Sequence, residues 1–126
     1  MKILVIEPGR KPRPEEISGT VESIREIVGG EFQAEYPENN AALVYNKAGM
    51  FLRLPPNREI PDGDGALADI VHGTFIVCGA PEDRNHFASL TGEQLRRYSE
   101  LFAVPQIFLN LGGRMIAFPA GKAARH

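Results

Sequence analysis

The residues best suited to chemistry fall into a few small groups. In Leu54-Pro-Pro-Asn-Arg58, two prolines stiffen the backbone and Asn57 can bond a turn. That would present the Arg58 guanidinium as a fixed fork for a carboxylate or phosphate. The competing reading has Arg58 pair with an internal aspartate and pin the loop. Glu82 and Asp83, followed by Arg84, Asn85 and His86, place two carboxylates in the loop after an apolar strand. Paired carboxylates do acid–base work only where a pocket splits their pKa values, and in a polar loop they are ordinarily solvated. Cys78 with His72 or His86 has the residue types of a nucleophile and its base. A cysteine inside an apolar run behaves as a small hydrophobe, however, and a buried thiol is inert.

Asp62-Gly-Asp64-Gly65, with Asp69 beyond it, has a superficial likeness to a calcium loop. The EF-hand pattern needs an oxygen ligand where Ala66 stands, so two Asp-Gly turns are the better reading. Gly-x-Gly-x-x-Gly, the P-loop, His-Glu-x-x-His and Gly-x-Ser-x-Gly patterns are all missing. No catalytic residue, metal ligand or cofactor site is therefore assigned. A trap for an anionic nucleotide would want Arg53, Arg58 or Arg84 converging with an aromatic such as Tyr45 or Phe51. The candidate ligand-binding residues are Tyr45, Arg53, Asn57, Arg58, Gly79, Glu82 and Arg84.

The elements that must position them are legible from periodicity. Lys2 to Ile6 reads as a strand buried on both faces and stopped by Pro8-Gly9. A short edge strand follows near Glu15 to Ile17. Val21, Ile24, Ile27 and Val28 recur at helical spacing, with Thr20 as N-cap and Gly29-Gly30 at the C-terminal end. Glu31 to Tyr36 alternates as a half-solvated strand should, Pro37 to Asn40 reads as a turn, and Ala42 to Tyr45 as the returning strand of a hairpin. From Lys47 to Gly65 the Gly- and Pro-rich chain is expected to be a long ordered loop with short strands and not a linker, since apolar Met50, Phe51, Leu52 and Leu54 interrupt it.

Phe75 to Cys78 is the most apolar run and the expected central strand, emptying into a surface loop at Gly79-Ala-Pro81. Thr91-Gly-Glu-Gln94 is a capping box opening a helix with Leu95, Tyr98, Leu101 and Phe102 on one face, ended by Pro105. Ile107 to Leu111, Gly112-Gly113 and Arg114 to Phe118 read as a hairpin with a two-residue turn, a helical turn being the alternative for Ile107 to Leu111. Strands outnumber helices, and the two helices are far apart in the chain. The expected class is α+β, a mostly antiparallel sheet with two helices packed on it, as one domain over residues 1–119 with a flexible tail over 120–126.

Composition narrows the function classes. The 126 residues are 43% apolar and 24% charged, ordinary for a soluble globular protein, and the net charge is −2. A non-specific nucleic-acid binder carries a basic excess, and the absence of one here argues against nucleic acid as a partner. Arg10, Lys11 and Arg13 are local and followed at once by Glu15 and Glu16, which reads as a solvated turn, with a small anion patch as the alternative. A single cysteine fits a reducing compartment. Glu7 and Pro8 cut the first apolar run too early for a signal peptide, and no later run approaches the roughly 18 apolar residues of a membrane span, so a cytoplasmic protein is expected.

Several of these pieces carry a family resemblance. Lys2-Ile-Leu-Val-Ile-Glu-Pro-Gly9, Ile27-Val-Gly-Gly30, Leu54-Pro-Pro-Asn-Arg58, Asp69-Ile70 with Gly73-Thr74, Cys78-Gly-Ala-Pro-Glu-Asp83 and Ser89-Leu-Thr91 stand in matching order and spacing over roughly residues 1–110. In them the chain resembles a family of small uncharacterised bacterial and phage proteins, a domain of unknown function found on conjugative elements and prophages. The resemblance implies a mobile-element accessory protein and transfers no catalytic residue. The leading expectation is a non-enzymatic protein that sequesters a host protein or a small anionic signalling ligand to blunt a defence system. A small enzyme using Glu82 or Asp83, with or without His86, and a DNA-associated regulator are the alternatives. Phe108, Met115 and Phe118 suit either completion of the core or a two-fold interface, which leaves a homodimer open.

Overall fold

The computed structural model describes residues 1–61, 68–82 and 86–120. Its elements run β1 (Lys2–Ile6), β2 (Arg13–Glu16), α1 (Val21–Val28), β3 (Phe32–Glu38), β4 (Asn40–Asn46), β5 (Pro56–Pro61), β6 (Ala68–His72), β7 (Phe75–Ala80), α2 (Gly92–Leu101), β8 (Gln106–Leu111) and β9 (Arg114–Pro119). The class is α+β. A five-stranded sheet in the order β2-β1-β7-β4-β3 has every neighbouring pair antiparallel, and β5-β6 and β8-β9 are separate antiparallel ribbons.

The strand containing Phe75 to Cys78 is central, as its composition requires, and it extends through Gly79 and Ala80. Side chains alternate across a strand, so the apolar runs of β1, β4 and β7 supply two faces at once. Ile3, Val5, Ala42, Val44, Ile76 and Cys78 form one cluster with Ile24 of α1. Leu4, Ile6, Ala41, Leu43, Phe75 and Val77 form the other, shared with Ile60 of β5, Val71 of β6, and Tyr98 and Phe102 at α2. Phe75 and Phe102 meet edge to face at 5.4 Å.

Local chemistry sets the helix ends. The Thr20 hydroxyl accepts from the Ser23 amide, and Gly29 donates to the Arg25 carbonyl. Thr91 and Gln94 complete the capping box. The buried arc of α2 is Gln94 and Tyr98, continued by Phe102, with Leu95 packed beside it; Leu101 lies on the margin of that arc and is exposed.

Four expectations need correction. The turn expected at Pro37 to Asn40 is shorter, because β3 runs through Pro37 to Glu38. A proline is tolerated there because β3 is the sheet's edge, and a register shift lies between Glu35 and Glu38. The stiff loop expected at Pro55 to Arg58 is the start of β5, with a register shift between Pro56 and Arg58 against β6. The ribbon partner β6 was not expected at all. The edge strand β2 begins two residues earlier than predicted. Among the described residues no helix is long and apolar enough to cross a membrane.

Candidate functional site

Arg58 and Asn57 face inward. Arg58 is only 1% exposed, and its guanidinium donates to the carbonyls of Phe102 (3.1 Å), Arg10 (2.6 Å) and Asn57 (3.2 Å) and to Asn57 Oδ1 (2.8 Å). Asn57 Nδ2 in turn donates to the carbonyls of Ile6 and Gly73, both at 2.9 Å. Burial lowers the Arg58 pKa from its ordinary value, yet an arginine remains a cation at neutral pH. The pair pins β5 to the sheet and to α2. It does so through carbonyl oxygens, where the sequence suggested an aspartate.

The other candidates are dispersed. Tyr45 borders a groove of ≈ 440 Å³ with His72 and Met115; its hydroxyl accepts from Gln33 Nε2 (2.8 Å) and donates to Glu35 Oε1 (3.3 Å). Desolvation raises its pKa. Arg53 is exposed on the turn before β5 with a left-handed φ of 58°. Glu82 is exposed beyond β7. Arg84, Asp83 and the Asp62-Gly-Asp64-Gly65 segment lie outside the described residues, as do residues 121–126 of the expected tail. Arg58, Tyr45 and Gly79 each border a different cavity. Cys78 is fully buried, and desolvation pushes its thiol up to about 12, which keeps it neutral and unreactive. Arg13, from the basic turn, pairs with Glu7 and Glu15. Among the described residues no group of three or more His, Cys, Asp or Glu side chains is placed to hold a metal ion.

Gly79 does border a cleft of ≈ 680 Å³ between the β3–β4 turn, the end of β7 and the start of α2. Its backbone pairs with Ala88 (2.7 and 2.8 Å), and a Cβ there would stand 2.5 Å from the Ser89 carbonyl oxygen, so only glycine fits. The cleft's cation, Arg97, is bound to Glu38 and lies 3.5 Å from Glu93. Gln94 Nε2 donates across to the Asn40 carbonyl at 3.0 Å. Among the described residues that line the cleft, the two carboxylates compensate the guanidinium.

A different feature stands out by its exposure. Between β4 and β5, Met50, Phe51 and Leu52 are 72%, 87% and 54% exposed. The turn that carries them is held at its base by Ala48 N–H to Asn46 Oδ1 (2.8 Å), Leu52 N–H to the Ala48 carbonyl (2.8 Å) and Leu54 N–H to the Gly49 carbonyl (2.9 Å). Asn46, itself buried, donates to the Val28 carbonyl at the end of α1 (3.1 Å). Phe51 and Leu52 flank a groove of ≈ 450 Å³ floored by Gly29, Gly30 and Ala48. Three large apolar side chains are thus displayed on a fixed knuckle beside a shallow groove. The sequence marked these residues as the apolar part of an ordered loop and Phe51 as an aromatic for a nucleotide trap; it did not show that all three side chains stand in solvent.

No curated protein and no solved structure matches the chain. The model of a family described as a domain of unknown function (DUF3846) matches residues 1–103, which hold the five-stranded sheet, both helices and the knuckle, and the chain belongs to that family.

Proposed function

We propose that this chain is a non-enzymatic binding protein that captures a protein partner through the Met50–Phe51–Leu52 knuckle and the groove beside it. The observation that carries the reading is Phe51, 87% exposed on a turn whose backbone is already bonded into one shape. A backbone already held in one shape adds little ordering entropy to docking, and aromatic anchors dominate interface energetics. The acidic rim of the large cleft weighs against the anionic-ligand version of the same idea. The resemblance to proteins of conjugative elements and phages supports looking for the partner in a bacterial host, as a factor that the element gains by sequestering.

Quantitative capture from a bacterial lysate, with wild type and Phe51→Ser side by side, tests this. Loss of a central aromatic anchor costs at least about 2 kcal/mol, so a true partner should fall roughly 30-fold in apparent affinity. Retention of every captured protein by Phe51→Ser would remove the knuckle from the reading.

A further inference from the structure

The groove beside Tyr45 gathers donors that neither the fold nor the knuckle's aromatic anchor uses. His72 of β6, Met50 of the turn after β4 and Met115 of β9 all line its ≈ 440 Å³. A Cβ on Gly49 would stand 3.3 Å from His72 Cβ, so Met50, the next residue, starts beside the imidazole. His72 Nδ1 lies 3.0 Å from the Leu54 carbonyl oxygen. A carbonyl only accepts, so Nδ1 carries the proton and the neutral ring keeps its lone pair on Nε2. A metal-ligating imidazole is ordinarily held in this way, with its other nitrogen tied to a backbone carbonyl or a carboxylate. Met50 and Met115 are 72% and 41% exposed, and each carries its sulfur on a side chain of three rotatable bonds. The imidazole is therefore fixed in tautomer, and the two thioethers are free to swing towards it.

We propose that His72, Met50 and Met115 form a binding site for a soft monovalent metal ion, Cu(I), with one imidazole nitrogen and two thioether sulfurs as ligands. The donor chemistry selects the ion. Thioethers favour Cu(I) and imidazole also suits copper, whereas magnesium and calcium demand a shell of oxygens. The groove offers few oxygens. The Tyr45 hydroxyl is engaged by Gln33 and Glu35, and desolvation, reinforced by the Glu35 and Asp69 charges, keeps its proton on.

Among the described residues lining the groove, Asp69 is the one carboxylate, and no lysine or arginine stands with it. One carboxylate is too few for a hard cation, yet its charge offsets that of a monovalent one. Zinc sites are built from thiolates, imidazoles and carboxylates in fours or threes, and the groove supplies one imidazole and one carboxylate. Binding is simple ligation, in which three lone pairs displace water from the ion and no oxidation state changes. Phe51 and Leu52 flank the other groove, so the metal site and the aromatic anchor lie on different sides of the knuckle. Met115 lies beyond the stretch matched by the family model, so the full donor set belongs to this chain and not to the shared domain.

Methyl-labelled methionine NMR spectra of the full chain, titrated with Ag(I) as a soft and redox-inert probe, test this. The chain has three methionines, and Met1, packed on the opposite face of the sheet, is the internal control. The Met50 and Met115 methyl signals should move together and stop at one equivalent, with the His72 ring following, while Met1 stays still. No shift, a shift of only one of the two, or shifts that never saturate would each overturn the site. Met50→Leu/Met115→Leu keeps the bulk and deletes both sulfurs at exposed positions, so its melting curve should be unchanged. Its Cu(I) affinity, measured against a chromophoric chelator under reducing conditions, should fall by more than the roughly 10–100-fold that loss of an outer-shell partner costs. An affinity equal to that of wild type places the ion elsewhere and refutes the proposal.

Discussion

At the scale of single residues, Arg58 shows how a cation is used when no ligand is involved. Helix α2 has no basic residue in its last turn, and its final carbonyls need donors. Arg58 supplies them from another element, placing positive charge at the negative end of the helix dipole while it also holds the Arg10 carbonyl. Arg58→Met keeps most of the apolar stem and deletes the fork. It leaves buried carbonyls of Phe102 and Asn57 short of a donor, each costing about 1–3 kcal/mol. The expected loss is about 2–4 kcal/mol, read as a fall in the urea midpoint at constant slope. Because none of these bonds involves Met50, Phe51 or Leu52, capture through Phe51 should persist in the folded fraction. A variant of unchanged stability that lost binding would return Arg58 to the role of ligand contact.

At the scale of elements, the knuckle depends on one close approach. A Cβ on Gly49 would stand 2.6 Å from the His72 carbonyl oxygen, so the turn is seated directly on β6. Gly49→Ala must push the two apart, and overpacking of this kind costs about 1–3 kcal/mol. Thermal melts should show the loss, and capture should weaken as well, since the same shift moves Phe51. A variant destabilised yet fully competent would mean that the partner does not read the knuckle's position. This seat explains what sequence could and could not reveal. The helices and the central strand were legible because their signals are local: Thr20, the Thr91–Gln94 box, and uninterrupted apolar runs. β5 was hidden because Pro55 and Pro56 punctuate its start, and β6 because Ala-Asp-Ile-Val-His is too short to show a period. The exposure of Met50, Phe51 and Leu52 was not legible because an apolar residue in a loop looks the same in sequence whether it folds under the loop or stands in solvent.

At the scale of the whole molecule, cover is distributed unevenly, and stability should follow it. β7 has neighbours on both edges and apolar clusters on both faces. Its amides can exchange with solvent only through near-global opening. The β8–β9 ribbon is held by its own ladder, by Gln106 against Glu59, and by Ala120 N–H to the Pro105 carbonyl at 2.7 Å. A two-stranded ribbon is marginal alone, so its amides should open locally. If a metal ion ties Met115 of the ribbon to His72 and Met50, opening becomes linked to its release, and protection must rise with the ion. At a free concentration about 100 times Kd the linkage is worth up to about 2.7 kcal/mol, or roughly 100-fold slower exchange where opening releases the ion. Hydrogen exchange with and without Ag(I), on wild type and Met50→Leu/Met115→Leu, separates the two cases. Ribbon amides of wild type should slow with the ion and those of the variant should not. The variant is the reference, because amides of β7 that exchange through global opening gain the same linkage in wild type and none in the variant. Ion-dependent protection appearing in β7 alone would instead mean that the ion stays bound while the ribbon opens, which removes Met115 from the site.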